Sequence, residues 1–475
     1  MKKLTLILIA CLALSAAAQG TASDSIALRA QDAITKFAAA GTLRYATLGI
    51  MLCDLRTGQI IASHNPDLAC ITASTMKTVT ASAALQLLGW QFRFRTPVMA
   101  VGELTGDHLR GDIVVMGTGD PTLGSKHFPD NPGIVDEIVT ALKQRGIRKI
   151  DGKIRISEGD FPYPDFDPNW EVEDLAWTYG AGVHGLNFAD NRVGVSFTAN
   201  GGQVSDVTFN PPVPGLKVIN KLTSDNADNV EVLLESAAQA YVLTGSASNM
   251  KYDFTLTNPS PGTMLADSLA RALAAADIEL RGHENAVKPD YELMRTQLVE
   301  HLSPMLFEII RSLLDRSDNM FTEALLRAIA SSQSRKPTTA NGVAIIRELW
   351  RNLGLETAPL FQRDGSGLAR TNMASVRFFA DMLSFMSRQR YGGMALSDLM
   401  PTAGSRIGAT MAASPMKDRI VLKSGSMRHV QTFVGYYPAD RPQYAWAILV
   451  NNFNGTRASL KDRMGALLIS ILPND

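Results

Sequence analysis

Apolar residues recur along this chain in two rhythms, one of strands and one of helices. From Thr47 to Cys53 most positions are apolar, D-L-R-T-G turns, and Gln59 to Ser63 returns, which predicts a β-hairpin. After Ser74 the spacing changes: Met76, Val79, Ala83 and Leu87 recur at a helical period, and Gly89 offers a stop. Between about 93 and 290 the pattern breaks into short strand-like runs with little sustained helical period. Examples are G-D-I-V-V-M-G-T-G-D-P, R-V-G-V-S-F and V-E-V-L-L-E, separated by Gly, Pro, Asn and Asp turns. Helical spacing returns near 300. Leu306, Ile309, Ile310 and Leu313 form one face; Phe321, Leu325 and Ala328 form another. The runs R-I-V-L-K-S-G-S-M, Q-T-F-V-G-Y-Y and Y-A-W-A-I-L-V-N-N then predict three strands, and 457–471 predicts a closing helix.

A hairpin and helix at one end, with strands and a helix at the other, predict an α/β (α+β) fold: an antiparallel sheet flanked by helices. A chain of 475 residues exceeds one ordinary core. The expected division is a discontinuous domain of 19–92 and 291–475, with a β-rich insertion over 93–290 that holds a nested module near 157–255. Hydrophobic content of 45% and charged content of 19% are ordinary for a globular protein. Lys plus Arg equals Asp plus Glu at 46 each, so nothing in the charge points to nucleic acid as a partner.

The opening M-K-K-L-T-L-I-L-I-A-C-L-A-L-S-A-A-A reads as a signal peptide cut after Ala18, which places the mature chain in the periplasm or cell envelope. Leu8-Ile9-Ala10-Cys11 resembles a lipoprotein cleavage box, but a cut there leaves a very short apolar stretch. The mature chain keeps Cys53 and Cys70. An exported pair can form a disulfide, or be two small buried residues, and spacing does not choose. The seven histidines are scattered without H-E-x-x-H or a Cys/His cluster, so no metal or other cofactor is expected. Gly117-Thr118-Gly119-Asp120 lacks the rest of a phosphate loop and reads as a tight turn.

Three Ser-x-x-Lys runs stand at Ser74–Lys77, Ser248–Lys251 and Ser414–Lys417. Ser-Asp-Asn occurs at Ser224–Asn226 and Ser317–Asn319, and Lys-Ser-Gly at Lys423–Gly425. A serine hydroxyl is a weak nucleophile until a base takes its proton, and a lysine held neutral can do so. Residues three apart on a helix share a face, and a helix start favours the developing alkoxide. Ser74 opens an apolar helix whose first turn carries Lys77. Ser248 lies in polar S-A-S-N-M-K-Y, and Ser414 precedes Pro415; both read as solvated loop. Ser317 lies between two amphipathic helices, whereas Ser224 lies in a polar turn. Lys423 sits on a strand and can bind a carboxylate; Gly425 admits substrate to the backbone; Ser426 can offer its N–H to an oxyanion.

S-x-x-K with S-D-N and K-T-G, here with Ser424 in place of Thr, resembles the penicillin-recognising serine peptidases. The roughly 240 residues between the first two motifs resemble the D-alanyl-D-alanine carboxypeptidase/endopeptidase branch with a large insertion. G-T-G-D-P-T-L at 117–123, the stretch Trp170 to Asn191, D-G-S-G-L at 364–368 and P-T-A-G-S at 401–405 also resemble that branch. The resemblance implies a transpeptidase/β-lactamase-like fold, peptidoglycan peptides ending in D-Ala-D-Ala as substrate, and β-lactams as inhibitors. It implies that Ser74 is acylated, Lys77 is the base, Ser317 relays a proton and Asn319 positions Lys77 and the substrate amide. Lys423 and Ser424 would hold the terminal carboxylate, and the N–H groups of Ser74 and Ser426 the oxyanion. Arg370 and Met427 match substrate-contacting places in relatives. An aspartate expected near the start of the insertion is replaced in I-R-I-S-E-G-D-F by Ser157, with Glu158 and Asp160 beside it.

Two other enzyme classes and one binding class compete. A β-lactamase or esterase of the same fold would need a deacylating Glu, which the sequence does not single out. A non-catalytic envelope-binding protein need not keep all of Ser74, Lys77, Ser317, Asn319 and Lys423. A Ser-His-Asp hydrolase lacks its G-x-S-x-G here.

Overall fold

The computed structural model describes residues 25–162, 166–225, 227–282 and 295–473. The signal segment, Cys11, Asn226 and the expected boundary at 290 lie outside the described residues. By packing the chain divides into two units: Met1–Ser82 with Ile346–Gln362 and Arg370–Asp475, and Ala83–Ile345 with Arg363–Ala369.

In the first unit, five strands form an antiparallel sheet in the order Ile60–His64, Thr47–Asp54, Tyr444–Asn451, Val430–Tyr437, Val421–Met427. The N-terminal hairpin thus pairs with the C-terminal meander, as the pattern at the two ends predicts. Leu48, Ile50 and Leu52 alternate into a core shared with Ala30, Ile34 and Phe37 of the helix over 25–38, and with Leu460, Met464 and Leu468 of the helix Arg457–Ile471. Gly49 faces the other way and meets Val376, where the helix Val376–Ser387 packs so close that an added methyl would lie 3.2 Å from Val376 Cγ1. Both faces are covered, which is why Thr47–Asp54 reads as a nearly continuous apolar run.

Among the described residues, two of the second unit's apolar cores surround its strands. One lies around a six-stranded sheet whose strands include Arg95–Thr105, His108–Met116 and Arg295–Leu302, with the helices Ile134–Gln144 and Pro261–Ala275. The other lies among short strands such as Arg192–Asn200, Glu231–Glu235, Ala240–Thr244 and Lys251–Thr257. These two helices stand among the strands of 93–290, where the pattern showed little sustained helical period. Ile134, Ile138, Ala141 and Leu142 are buried at helical spacing, but β-branched Ile134, Val135, Ile138 and Val139 suit a strand equally well. Pro261-Gly262 reads as a turn, yet Pro261 is the first helical residue, where its missing N–H costs nothing. The tight turn expected at 117–120 is displaced: the Gly117 and Gly119 N–H groups donate to the carbonyls of Ser157 and Gly185, Gly119 has φ +84°, and the chain bends just beyond, where Asp120 accepts from the Thr122 N–H at 2.8 Å.

Among the described residues no helix is long and apolar enough to cross a membrane. Cys53 and Cys70 are buried free thiols, which settles the cysteine alternative against a disulfide. Burial pushes each thiol up to about 11.

Candidate active site

Cys70–Ile71 is a two-residue strand paired with Met373–Ala374. Asn451, buried at the end of its sheet strand, clamps Ile71 from both sides: its Oδ1 accepts from the Ile71 N–H at 2.7 Å, and its Nδ2 donates to the Ile71 carbonyl at 3.1 Å. The Thr72 N–H donates to the Asn372 carbonyl at 3.1 Å. The chain then turns through Ala73, at φ +45°, into a single 3₁₀ turn, Ala73–Thr75, that runs on as the helix Met76–Leu87. A positive φ at a non-glycine costs on the order of 1–3 kcal/mol and persists only where the surroundings impose it. Here the fixed ends of Cys70–Thr72 impose it, and Ser74 is delivered at the helix start, half-buried.

Lys77, wholly buried, donates from Nζ to Ser74 Oγ at 2.9 Å. The strand Val421–Met427 passes alongside. A methyl built on Gly425 would lie 2.8 Å from both the Ser74 nitrogen and the Thr72 carbonyl oxygen. Glycine is therefore obligatory at 425 for the strand to approach the nucleophile turn. Thr432, on the neighbouring strand, donates from Oγ1 to the Thr72 carbonyl at 2.7 Å and lies 3.3 Å from the Gly425 carbonyl. Gln431 donates to that same carbonyl at 3.1 Å and accepts from the exposed Ser426 hydroxyl at 2.8 Å. Lys423 is buried, with Nζ donating to the Ser424 carbonyl at 2.7 Å. Met427 is half-buried, and its carbonyl accepts from Arg457 at 2.8 Å. Arg370 is half-buried two residues before Asn372.

The second motif belongs to the second unit. Ser317, at φ +59° and ψ +41°, ends the helix Leu306–Arg316. Asp318 caps the next helix, Asn319–Ser332, accepting from the Phe321 N–H at 3.1 Å, and pairs with Arg192 at 3.3 Å and Arg316 at 3.5 Å. Asn319 donates from Nδ2 to the Tyr179 carbonyl at 2.6 Å. One turn on, buried Glu323 accepts from the N–H groups of Gly365 and Ser366 at 3.1 and 2.7 Å. Burial, with the Asp364 carboxylate beside it, pushes Glu323 up to about 7.

The other copies settle differently. Ser248 is half-buried rather than solvated; its N–H and hydroxyl meet the Tyr252 hydroxyl at 2.8 and 3.1 Å. Lys251 is exposed and pairs with Asp253. Ser414 caps a short 3₁₀ turn, accepting from the Met416 N–H at 3.2 Å, and Lys417 is exposed. Glu158 is turned to the backbone, accepting from the Leu186 N–H at 3.0 Å. Sequence reasoning passed over Asn451, Thr432, Gln431 and Asn372. The first three carry one usable signal: a polar residue in a strand otherwise apolar on both faces must have a partner.

Comparison with known proteins decides the family. The model of the D-Ala-D-Ala carboxypeptidase 3 (S13) family matches residues 30–469. The chain belongs to that family. Among its relatives, the D-alanyl-D-alanine carboxypeptidase DacB of Haemophilus influenzae is 24% identical over 424 residues, 86% of each chain. The D-alanyl-D-alanine carboxypeptidase of Actinomadura sp. is 25% identical over 434 residues, 87% of this chain and 79% of the relative. The crystal structure of penicillin binding protein 4 from H. influenzae superposes with a TM-score of 0.75 at 22% identity, covering 90% of this chain and 95% of that one. The same protein complexed with a β-lactam gives 0.70. The fold is the penicillin-recognising one, mixed α and β with antiparallel sheets, and the chain is by its family a D-Ala-D-Ala carboxypeptidase.

Proposed function

We propose that this S13 enzyme hydrolyses peptidoglycan stem peptides ending in D-Ala-D-Ala through an acyl-enzyme on Ser74. The Ser74–Lys77 hydrogen bond beside Gly425 carries the reading. Lys77, as the neutral amine, takes the Ser74 proton while Oγ attacks the penultimate carbonyl. The N–H groups of Ser74 and Ser426 stabilise the oxyanion. Ser317 relays the proton to the departing D-Ala amine, and Asn319 orients Lys77 and the substrate amide. Lys423 and Ser424 hold the terminal carboxylate. Water then releases the acyl group and returns Ser74 to its starting state. The same steps on a D-Ala cross-link give endopeptidase activity, and a β-lactam acylates Ser74 and leaves slowly. Arg370 and Met427 shape the peptide side-chain pocket. The protein works exported, in the periplasm or envelope.

Labelled penicillin incubated with the purified protein tests the nucleophile: the label should attach, and Ser74→Ala should remove it. A Ser74→Ala protein that labels fully places the nucleophile elsewhere. Release of D-Ala from a stem pentapeptide tests the activity. Rapid penicillin turnover in place of a lasting adduct would favour a β-lactamase.

A further inference from the structure

One stretch of the insertion, 179–192, grips the second motif and the helix that follows it. The Tyr179 carbonyl accepts from Asn319 Nδ2 at 2.6 Å, the Val183 carbonyl accepts from Arg327, and Arg192 donates from Nη2 to Asp318 Oδ2 at 3.3 Å. All of these residues belong to the second unit.

The stretch itself is held under strain. Ala189, Asp190 and Asn191 stand in succession at φ +51°, +57° and +50°. Side chains disfavour this region, so a run of three persists only where the surroundings impose it. Here two buried amides impose it. Asn191 Oδ1 accepts from the Phe188 N–H at 3.0 Å, and its Nδ2 donates to the Gly182 carbonyl at 3.0 Å and to Asn187 Oδ1 at 2.8 Å. Asn187 donates in turn to the carbonyls of Asp120 and His184, each at 3.2 Å. The Ala189 N–H donates to the Leu123 carbonyl at 2.9 Å, and the Asn258 N–H to the Asn191 carbonyl at 2.7 Å. The strand Arg192–Asn200 starts at the next residue, so this turn fixes where Arg192 begins.

Asp318 is buried, between Ser317 and Asn319. Its Oδ1 accepts from the Phe321 N–H at 3.1 Å, which starts the helix at Asn319. Its Oδ2 faces two guanidinium groups. Arg316, at 3.5 Å, is two residues away and moves with the corner. Arg192 comes from 126 residues earlier, so it can hold the corner against the rest of the unit. Ser317, at φ +59°, needs such a hold, because its own backbone is strained.

We propose that Arg192 is a positioning residue for the reaction: held by the turn at 189–191, it fixes Asp318 and so sets Ser317 and Asn319. The inference rests on the proton relay through Ser317 and the orienting role of Asn319. Arg192→Met keeps an aliphatic stem and removes the guanidinium. Its kcat for D-Ala release from a stem pentapeptide should fall roughly 10–100-fold with KM unchanged, the cost of a displaced catalytic group. Labelled penicillin should still reach the parent's stoichiometry, at a rate lowered by the same factor. Asp318→Asn keeps an oxygen for the Phe321 N–H and drops the charge. It should slow both reactions as Arg192→Met does, and the double variant should lose little more than either. Parent-like rates in Arg192→Met overturn the inference. So does a fall in label stoichiometry that accounts for the whole loss, and so do additive losses in the double variant. Parent-like acylation by Ser317→Ala beside slow Arg192→Met removes the relay from Ser317 and sustains the positioning of Asn319. A parent that takes the label but releases no D-Ala sinks the peptidase reading, and the acylation rates then decide the inference.

Discussion

Ser74–Lys77 and Ser248–Lys251 carry the same four-residue motif in opposite settings. At 74–77 the pair lies at a helix start, Lys77 is wholly buried, and its amine reaches the hydroxyl. At 248–251 the residues span a turn into the strand Lys251–Thr257. There the serine is held by Tyr252 and the lysine by Asp253, with the lysine side chain 66% exposed. An exposed ammonium keeps its hydration and its proton and is a poor base. Environment, not spacing, distinguishes the two, and environment is built by chain far from either motif.

The widest gap should come from the lysines themselves. Lys77→Ala should slow penicillin acylation by roughly 10²–10⁴-fold, the range of a lost general base, while circular dichroism stays unchanged. Normal acylation by that variant would erase the contrast. Gly425→Ala comes next: its methyl must displace the nucleophile turn, and misplacement of this kind costs about 10²-fold in acylation. Thr432→Val strips the Thr72 carbonyl of one donor while the Thr75 hydroxyl remains, and should lower stability by about 0.5–1.5 kcal/mol in urea unfolding.

Burial also sets chemistry at Glu323, where the effect is smaller. Its folded value near 7 lies above the ordinary 4.5, so the folded state holds a proton that the unfolded chain releases. Stability should therefore decline as pH rises from about 4.5 to about 7 and level off above. Glu323→Gln should flatten that slope, and a parent with no slope in this window would refute the assignment. Lys251→Ala should change acylation least, within error of the parent. A large loss there would show that the exposed copy matters after all.

Much of this was legible in the residues. The hairpin at 47–63, the helix after Ser74, the three C-terminal strands and the helix corner at Ser317 each follow from a local period and a turn. The helices at 134–144 and 261–275 were not legible, because β-branched residues and Pro-Gly carry strand and turn signals that packing overrides. Nor were Thr432 and Asn451, whose partners Thr72 and Ile71 lie hundreds of residues away in sequence, nor Gln431, whose Gly425 partner follows from the register of the closing hairpin. The cysteine alternative stayed open because spacing does not choose.

By itself the sequence determined which side chains could do chemistry: a serine three residues before a lysine, a Ser-Asp-Asn corner and a Lys-Ser-Gly strand. Hydroxyls, amines and turn geometry are properties of short segments. Only the tertiary structure decided which copy of each was buried and which glycine had no room for a methyl. Those follow from desolvation and close packing, and both depend on residues hundreds of positions away.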